Sequence, residues 1–268
     1  MSHNLLSVNE HFNLDMAFEK VGGFGLYQVV ATTGLSLLRN AGSVLIYMFA
    51  YLVFAAEYEC RTDPTAAYGT CSVDEICKAK ADGTELDYRI DTSYEYYLNN
   101  WQQESDLMCV PLSQVNLLIV FYCAAFGIGG VLTFPVMDKI GRRKTHYIFS
   151  TLYLIGNALI VYMPTYWGKA LGYMVIGLAM SKNSLCYAWL FEFMVKETKS
   201  IASTAINTLE LSVMVVSGIY FMWYSNETKP LIVGFFFVTG VLGWLITTLF
   251  ITESPKWLLI TGRRTEAI

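Results

Sequence analysis

Two charged side chains stand where charge is expensive. Lys182 lies near the middle of one apolar stretch, Ala170–Met194, and Glu210 lies at a similar depth in the next, Ser200–Tyr224. At about 1.5 Å per residue from the inner edge, Lys182 is ~18 Å deep and Glu210 ~15 Å deep. A lysine at mid-bilayer costs ~2.5–3.5 kcal/mol on insertion scales, so it must face protein or water rather than lipid. Three roles fit. The ammonium could attract an anionic solute, the carboxylate could attract a cation or carry a proton, or a closed Lys182–Glu210 pair could serve only helix packing. Asn183 and Asn207, with Ser184 and Thr208, suit either a polar solute path or interhelical hydrogen bonds. Tyr122, Tyr153, Tyr187, Trp189 and Trp223 offer ring faces to a cation, although interfacial belts use the same residue types. Arg39 reads as a snorkelling side chain reaching toward the headgroups. No nucleophile–base or metal-ligand spacing stands out, His3, His11 and His146 are scattered, and no nucleotide-binding loop is visible. The expectation is therefore no enzyme, no catalytic residue, no cofactor and no metal.

The elements that must carry these groups follow from hydropathy. Apolar residues make up 54% of the chain and charged residues 15%, with a mean hydropathy of +0.42, which is too apolar for a soluble domain of 268 residues. Charge runs of the kind that bind nucleic acid are missing from the sequence, so no nucleic-acid partner is expected. A membrane span needs about 20 mostly apolar residues. Six stretches meet this: Gly25–Ala56, Leu112–Met137, Thr145–Thr165, Ala170–Met194, Ser200–Tyr224 and Pro230–Ile251. The first is longer than one crossing needs, and its start reads as a tilted or interfacial lead-in. The fold expected is an all-α membrane protein of six transmembrane helices, with residues 1–24 as an N-terminal cytoplasmic segment and 252–268 as the start of a cytoplasmic linker. Met1–Lys20 has no apolar core and carries Glu10, Asp15 and Glu19, unlike a cleaved signal. Lys139, Arg142, Arg143, Lys144, Lys196, Lys199, Lys256, Arg263 and Arg264 fall on one side, against Lys169 and Lys229 in the short loops of the other. The first group is thereby assigned to the cytoplasm or matrix and the 57–111 loop to the outside.

That outer loop holds Cys60, Cys71, Cys77 and Cys109, an acidic face, and an aromatic cluster at Tyr94, Tyr96, Tyr97 and Trp101. Four cysteines in a non-cytosolic loop predict two disulfides, with three connectivities open. A loop this small gains from such staples because it buries little core of its own. It contains no His, which argues against zinc. Cys123 and Cys186 lie within apolar spans and read as small core residues. Asn226-Glu227-Thr228 is a glycosylation sequon close to the membrane.

Between the second and third spans runs Asp138-Lys139-Ile140-Gly141-Arg142-Arg143-Lys144. Gly141 permits a tight reversal and the bases hold the loop inside. This 138–144 segment resembles the signature loop of the major facilitator superfamily. Trp101-Gln-Gln-Glu-Ser-Asp106-Leu107-Met108-Cys109 is similar to the segment that ends the large outer loop of its organic cation and anion transporters. Glu253-Ser254-Pro255-Lys256-Trp257-Leu258-Leu259, followed by Gly262-Arg263 and Glu266-Ala267, is similar to the sequence after their sixth span. Phe18–Gln28 fits their N-terminus. The resemblance runs from Phe18 to Ile268 and implies the N-terminal six-helix half of such a transporter. Its conformational charge motif then falls on Asp138, Lys139, Gly141, Arg142, Arg143, Lys144, Glu192, Lys199 and Glu253.

The sequence also departs from the family. Phe134 stands where a glycine is usual, four residues before Asp138. Tyr173 is the nearest counterpart of an arginine that normally opens the fourth span, and Lys199 stands in place of an arginine paired with Glu192, without the bidentate geometry of a guanidinium. The family has twelve spans with its solute cavity between two halves. These six helices are therefore expected to meet membrane lipids together with a second half-transporter, a self-dimer or a larger membrane complex. Secondary transport of a small organic ion or related solute, by a half-size or truncated transporter of this type, is the function implied. The alternative is a transporter-derived, non-transporting structural subunit. Plasma membrane follows the resemblance, and a mitochondrial inner or other internal membrane suits the alternative.

Overall fold

A computed structural model describes residues 24–63 and 65–267. The lead-in Phe18–Gly23 and the acidic residues before it lie outside the described residues, as do His3 and His11. The first helix, α1, spans Leu26–Tyr47, and a turn at Met48 leads into the short α2, Phe49–Leu52. The overlong first stretch is thus one helix of 22 residues plus a separate short helix.

The 57–111 loop has structure of its own, which qualifies the all-helical expectation. Strands β1 (Tyr58–Arg61), β2 (Gly69–Cys71) and β3 (Asp87–Ile90) form an antiparallel sheet in the order β2-β1-β3. Helix α3, Val73–Asp82, starts at a reciprocal cap in which Ser72 Oγ accepts from the Glu75 amide and the Glu75 carboxylate accepts from the Ser72 amide. It stops at Gly83 in the left-handed region, φ 69°. Cys60 bonds Cys71 and Cys77 bonds Cys109, selecting one of the three pairings. The module packs on Ala56, Tyr58 and Ile76, a core small enough to need both crosslinks. Short α4, Trp101–Glu104, returns the chain to the bundle.

The remaining helices are α5 (Leu112–Ile140), α6 (Arg142–Tyr162), α7 (Tyr166–Met180), α8 (Lys182–Phe191), α9 (Lys196–Trp223), α10 (Thr228–Gly234), a π-helical turn at Phe235–Val241, α11 (Leu242–Phe250), α12 (Pro255–Ile260) and α13 (Arg264–Ala267). Among the described residues four helices are long and apolar enough to cross a membrane: α1, α5, α9 and the continuous Thr228–Phe250 segment. The other two expected spans differ for physical reasons. Helix α6 opens on Arg142, Arg143, Lys144 and His146, which lowers its hydropathy. The expected fourth span is divided at Ser181 into α7 and α8. The 138–144 segment is barely a loop. α5 runs on to Ile140, α6 begins at Arg142, and the reversal falls on Gly141 alone, φ 99°.

Small residues set the closest helix approaches. A Cβ at Gly129 of α5 would strike the Leu178 carbonyl of α7, and one at Gly177 would strike the Tyr122 carbonyl of α5. The two backbones therefore meet directly, the usual route to close packing where lipid supplies no hydrophobic driving force. One core joins Leu38, Val44 and Leu45 of α1 to Tyr153, Tyr173 and Ile176. A second, near the other end, gathers Ala31, Leu35, Trp189, Leu190 and Ile206.

Candidate functional site

Lys182 and Glu210 do not meet each other. Glu210, 8% exposed, forms its ion pair with Arg39, 17% exposed, and also accepts from Ser43 Oγ at 3.1 Å and Tyr47 OH at 3.4 Å. Arg39 lies below Tyr187, donating to its hydroxyl at 2.5 Å and standing 5.1 Å from its ring centre. Tyr187 donates in turn to Asn207 Oδ1 at 2.7 Å. Arg39, Ser43 and Tyr47 recur every fourth residue, so one face of α1 carries the whole reception for the carboxylate. Two expectations are corrected here: Arg39 turns inward instead of snorkelling, and it, not Lys182, neutralises Glu210. Equal depth fixes only position along the helix axes, whereas helix phase decides which face a residue shows.

Lys182 is fully buried, with its ammonium 3.8 Å from the Tyr153 ring centre and donating to Asn183 Oδ1 at 3.1 Å. Tyr153 is held in place by donating to the Arg39 carbonyl at 3.1 Å, and a Cβ at Gly42 would collide with its hydroxyl. The Tyr153 ring thus takes part of the role expected of Glu210. His146 lies beside this cluster, 3.6 Å from Cys186 Sγ and 5.2 Å from the Trp189 ring. Among the described residues no three His, Cys, Asp or Glu side chains are grouped to hold a metal.

The face outside the Arg39–Glu210 pair is polar at mid-helix. Asn183 and Tyr187 of α8 are half-buried, and Ser184, Asn207 and Thr208 are exposed. Elsewhere α9 exposes Leu209, Leu211, Val215 and Ile219. The arrangement can present neutral donors and acceptors to a solute and hold a charge pair behind them, able to separate if a charged group enters.

The charge motif assembles at one end of the bundle. Arg142, buried, reaches Asp138 at 3.2 Å and Glu192 at 3.4 Å. Glu192 was expected to work with Lys199, but Arg142 occupies it. The Glu253 carboxylate accepts the amides of Arg142 at 2.8 Å and Arg143 at 3.1 Å, sitting at the positive N-terminus of α6. Gly141 is needed for two reasons: its positive φ, and because a Cβ would collide with that carboxylate. Trp257 of α12 completes the knot by donating to the Asp138 carbonyl at 3.0 Å. Lys139 and Lys144 are exposed and outside it.

At the opposite end, Glu104 of α4 binds Lys169 at 3.6 Å and Lys229 at 3.2 Å, and Lys169 lies over the Trp101 ring at 4.5 Å. Tyr173, the residue in place of the expected arginine, is fully buried and donates to the Leu45 carbonyl at 3.0 Å. Thr228 of the sequon is buried, with its hydroxyl donating to the Asn99 carbonyl at 3.0 Å.

With this geometry in place, the relatives can be considered. Residues 84–268 match the family described as sugar (and other) transporter. The chain is 28% identical to an organic cation transporter protein of Drosophila melanogaster over 66% of its length, covering 32% of that protein. It is 26% identical to organic cation/carnitine transporter 6 of Arabidopsis thaliana over 97% of its length, covering 50% of that protein. A monosaccharide-sensing protein 2, also from Arabidopsis thaliana, is 25% identical over 60% of the chain, which covers 21% of it. The chain thus spans no more than half the length of these relatives.

Proposed function

The chain belongs to the sugar (and other) transporter family of the major facilitator superfamily, is a multi-pass integral membrane protein resembling the organic cation transporters, and we propose on that premise that it moves a small organic ion or related solute by secondary transport. The observation that carries this reading is the Arg39–Glu210 pair behind the polar strip of Tyr187, Asn183 and Asn207. A pair serving packing alone has no need of an exposed mid-helix amide, Asn207, in front of it. Six spans are proposed, with α6 as the third and α7–α8 as one broken fourth. Broken helices are where transporters of several folds place solute sites, because freed backbone groups are tolerated only beside a cavity. The Arg142 end is proposed as cytoplasmic and the disulfide module as external, at the plasma membrane. A second six-helix half, on this or another polypeptide, would close the cavity. The knot of Asp138, Arg142, Glu192 and Glu253 would hold one end shut and open as the halves rock.

The test is uptake of candidate organic cations, anions and sugars into cells or proteoliposomes bearing the complete assembly. Tyr187→Phe and Asn207→Ala should lower uptake about tenfold or more while leaving Tm within 2–3 °C of wild type, each losing an exposed polar contact worth ~1–2 kcal/mol. Normal uptake in both variants would reject the site. A second reading, a non-transporting subunit of a membrane complex, is favoured by the buried, uncharged Tyr173. It predicts no uptake in any form, wild type included.

A further inference from the structure

The end of the bundle that carries the charge knot has a second feature, which the knot does not use. Beside Glu253, a cleft of about 640 Å³ opens between the start of α6, the end of α11 and the segment running through α12 to α13. Among the described residues three cations line it, Arg143, Lys144 and Arg263, against two carboxylates, Glu253 and Glu266, an excess of one positive charge. Both carboxylates are already engaged. Glu253 is spent on backbone amides, and Glu266 is held by Arg263 Nε at 2.8 Å and Nη2 at 2.5 Å. Arg143 gives one nitrogen to the Thr248 carbonyl at 3.0 Å, which fixes its guanidinium and leaves further donors facing the cleft. Lys144 is exposed with no hydrogen-bond or ion-pair partner among the described residues.

The walls below these cations are apolar and open. Ile140 is 36% exposed, Tyr147 46% and Ile148 51%. Two turns further along α6, Ile155 is exposed too, as are Leu245 and Leu249 of α11. A held guanidinium and an unpaired ammonium at the edge of a membrane-spanning bundle, continuing into an exposed apolar groove, match one ligand chemistry: a phosphodiester with acyl chains attached. We propose that this cleft binds the phosphate of an anionic phospholipid, with Lys144 and Arg143 on the phosphate oxygens and an acyl chain along Tyr147 and Ile148. A basic pocket between spanning helices at the membrane surface is the setting in which headgroups are held against the general surface attraction. The site rests on the membrane placement of α6 and α11. Only the choice of leaflet rests on the orientation proposed above.

The experiment uses the purified full chain in nonionic detergent, titrated with phosphatidylserine or phosphatidylcholine and read by native mass spectrometry and thermal shift. One phosphatidylserine should be retained, with a rise in Tm that phosphatidylcholine does not match. Lys144→Gln should weaken binding about tenfold or more, since a charge-assisted hydrogen bond is lost. Lys256→Gln, exposed on α12 but outside the cleft, should bind as wild type. Wild-type affinity in Lys144→Gln, or an equal loss in Lys256→Gln, overturns the site. An equal shift from inorganic phosphate or glycerophosphoserine overturns the lipid as its occupant. Retained lipid binding with no uptake in any variant would count against transport alone.

Discussion

Replacing Glu210 by leucine leaves the Arg39 guanidinium buried beside Ser43, Tyr47 and Tyr187 with no anion to meet it. Replacing Arg39 by methionine strands the carboxylate in the same way. Both side chains are less than one-fifth exposed, so solvent screening offsets little of the loss, and each single change should cost ~3–5 kcal/mol. The double variant Arg39→Met/Glu210→Leu removes both charges and fills the space with apolar side chains, so it should recover most of that stability. The cycle should then show a coupling of at least ~2 kcal/mol, above the ~0.6 kcal/mol average for hydrogen bonds between membrane helices. Reversible unfolding in mixed micelles, followed by circular dichroism, gives the three differences. The parallel cycle with Lys182→Met and Glu210→Leu should be additive to ~0.5 kcal/mol, because Lys182 rests on Tyr153 and not on the carboxylate. Additivity for Arg39 and Glu210, or strong coupling for Lys182 and Glu210, would refute this account. Uptake measured on the same proteins separates packing from function: restored stability with restored uptake would remove the pair from the solute's path.

Non-reducing peptide mapping should recover Cys60 with Cys71 and Cys77 with Cys109. The second bond closes 32 residues against 11, so on the chain-entropy model opening it should destabilise the module by about 1 kcal/mol more, measured by proteolysis rates of the paired Cys→Ser variants. Acid should loosen the same module by a predictable route. Hydrogen bonds from Arg61 and Tyr68 hold the Asp87 carboxyl below its usual value, so its contribution is present above the unfolded value of ~3.9 and is lost as pH falls through the lower folded value. Protection factors in β3, corrected for the pH dependence of intrinsic exchange, should therefore be steady from neutrality to about pH 4 and fall below it, and Asp87→Asn should reduce that fall.

Much of this protein was legible in its sequence because a bilayer simplifies the problem. Length and hydropathy locate apolar helices, since every buried backbone group must be bonded within its own helix, and the expected Leu112–Met137 falls within the observed Leu112–Ile140. The even cysteine count pointed to two crosslinks, and the likeness of the Asp138–Lys144 and Glu253–Leu259 segments to a transporter family pointed to where charged groups would gather. Tertiary structure decided what depends on phase and distance. Depth placed Lys182 and Glu210 at one level, but rotation about α1 brought Arg39, Ser43 and Tyr47 to the carboxylate and left Lys182 under Tyr153. The four-residue spacing of Arg39, Ser43 and Tyr47 was the available signal for that face. Which cysteines pair depended on the sheet, which sets Cys60 of β1 across from β2, beside Cys71. The division of the fourth span at Ser181 has no proline or glycine to announce it. It appears only where the Ser181 hydroxyl meets Thr133 of α5, a contact between residues 48 apart in sequence that no local pattern encodes.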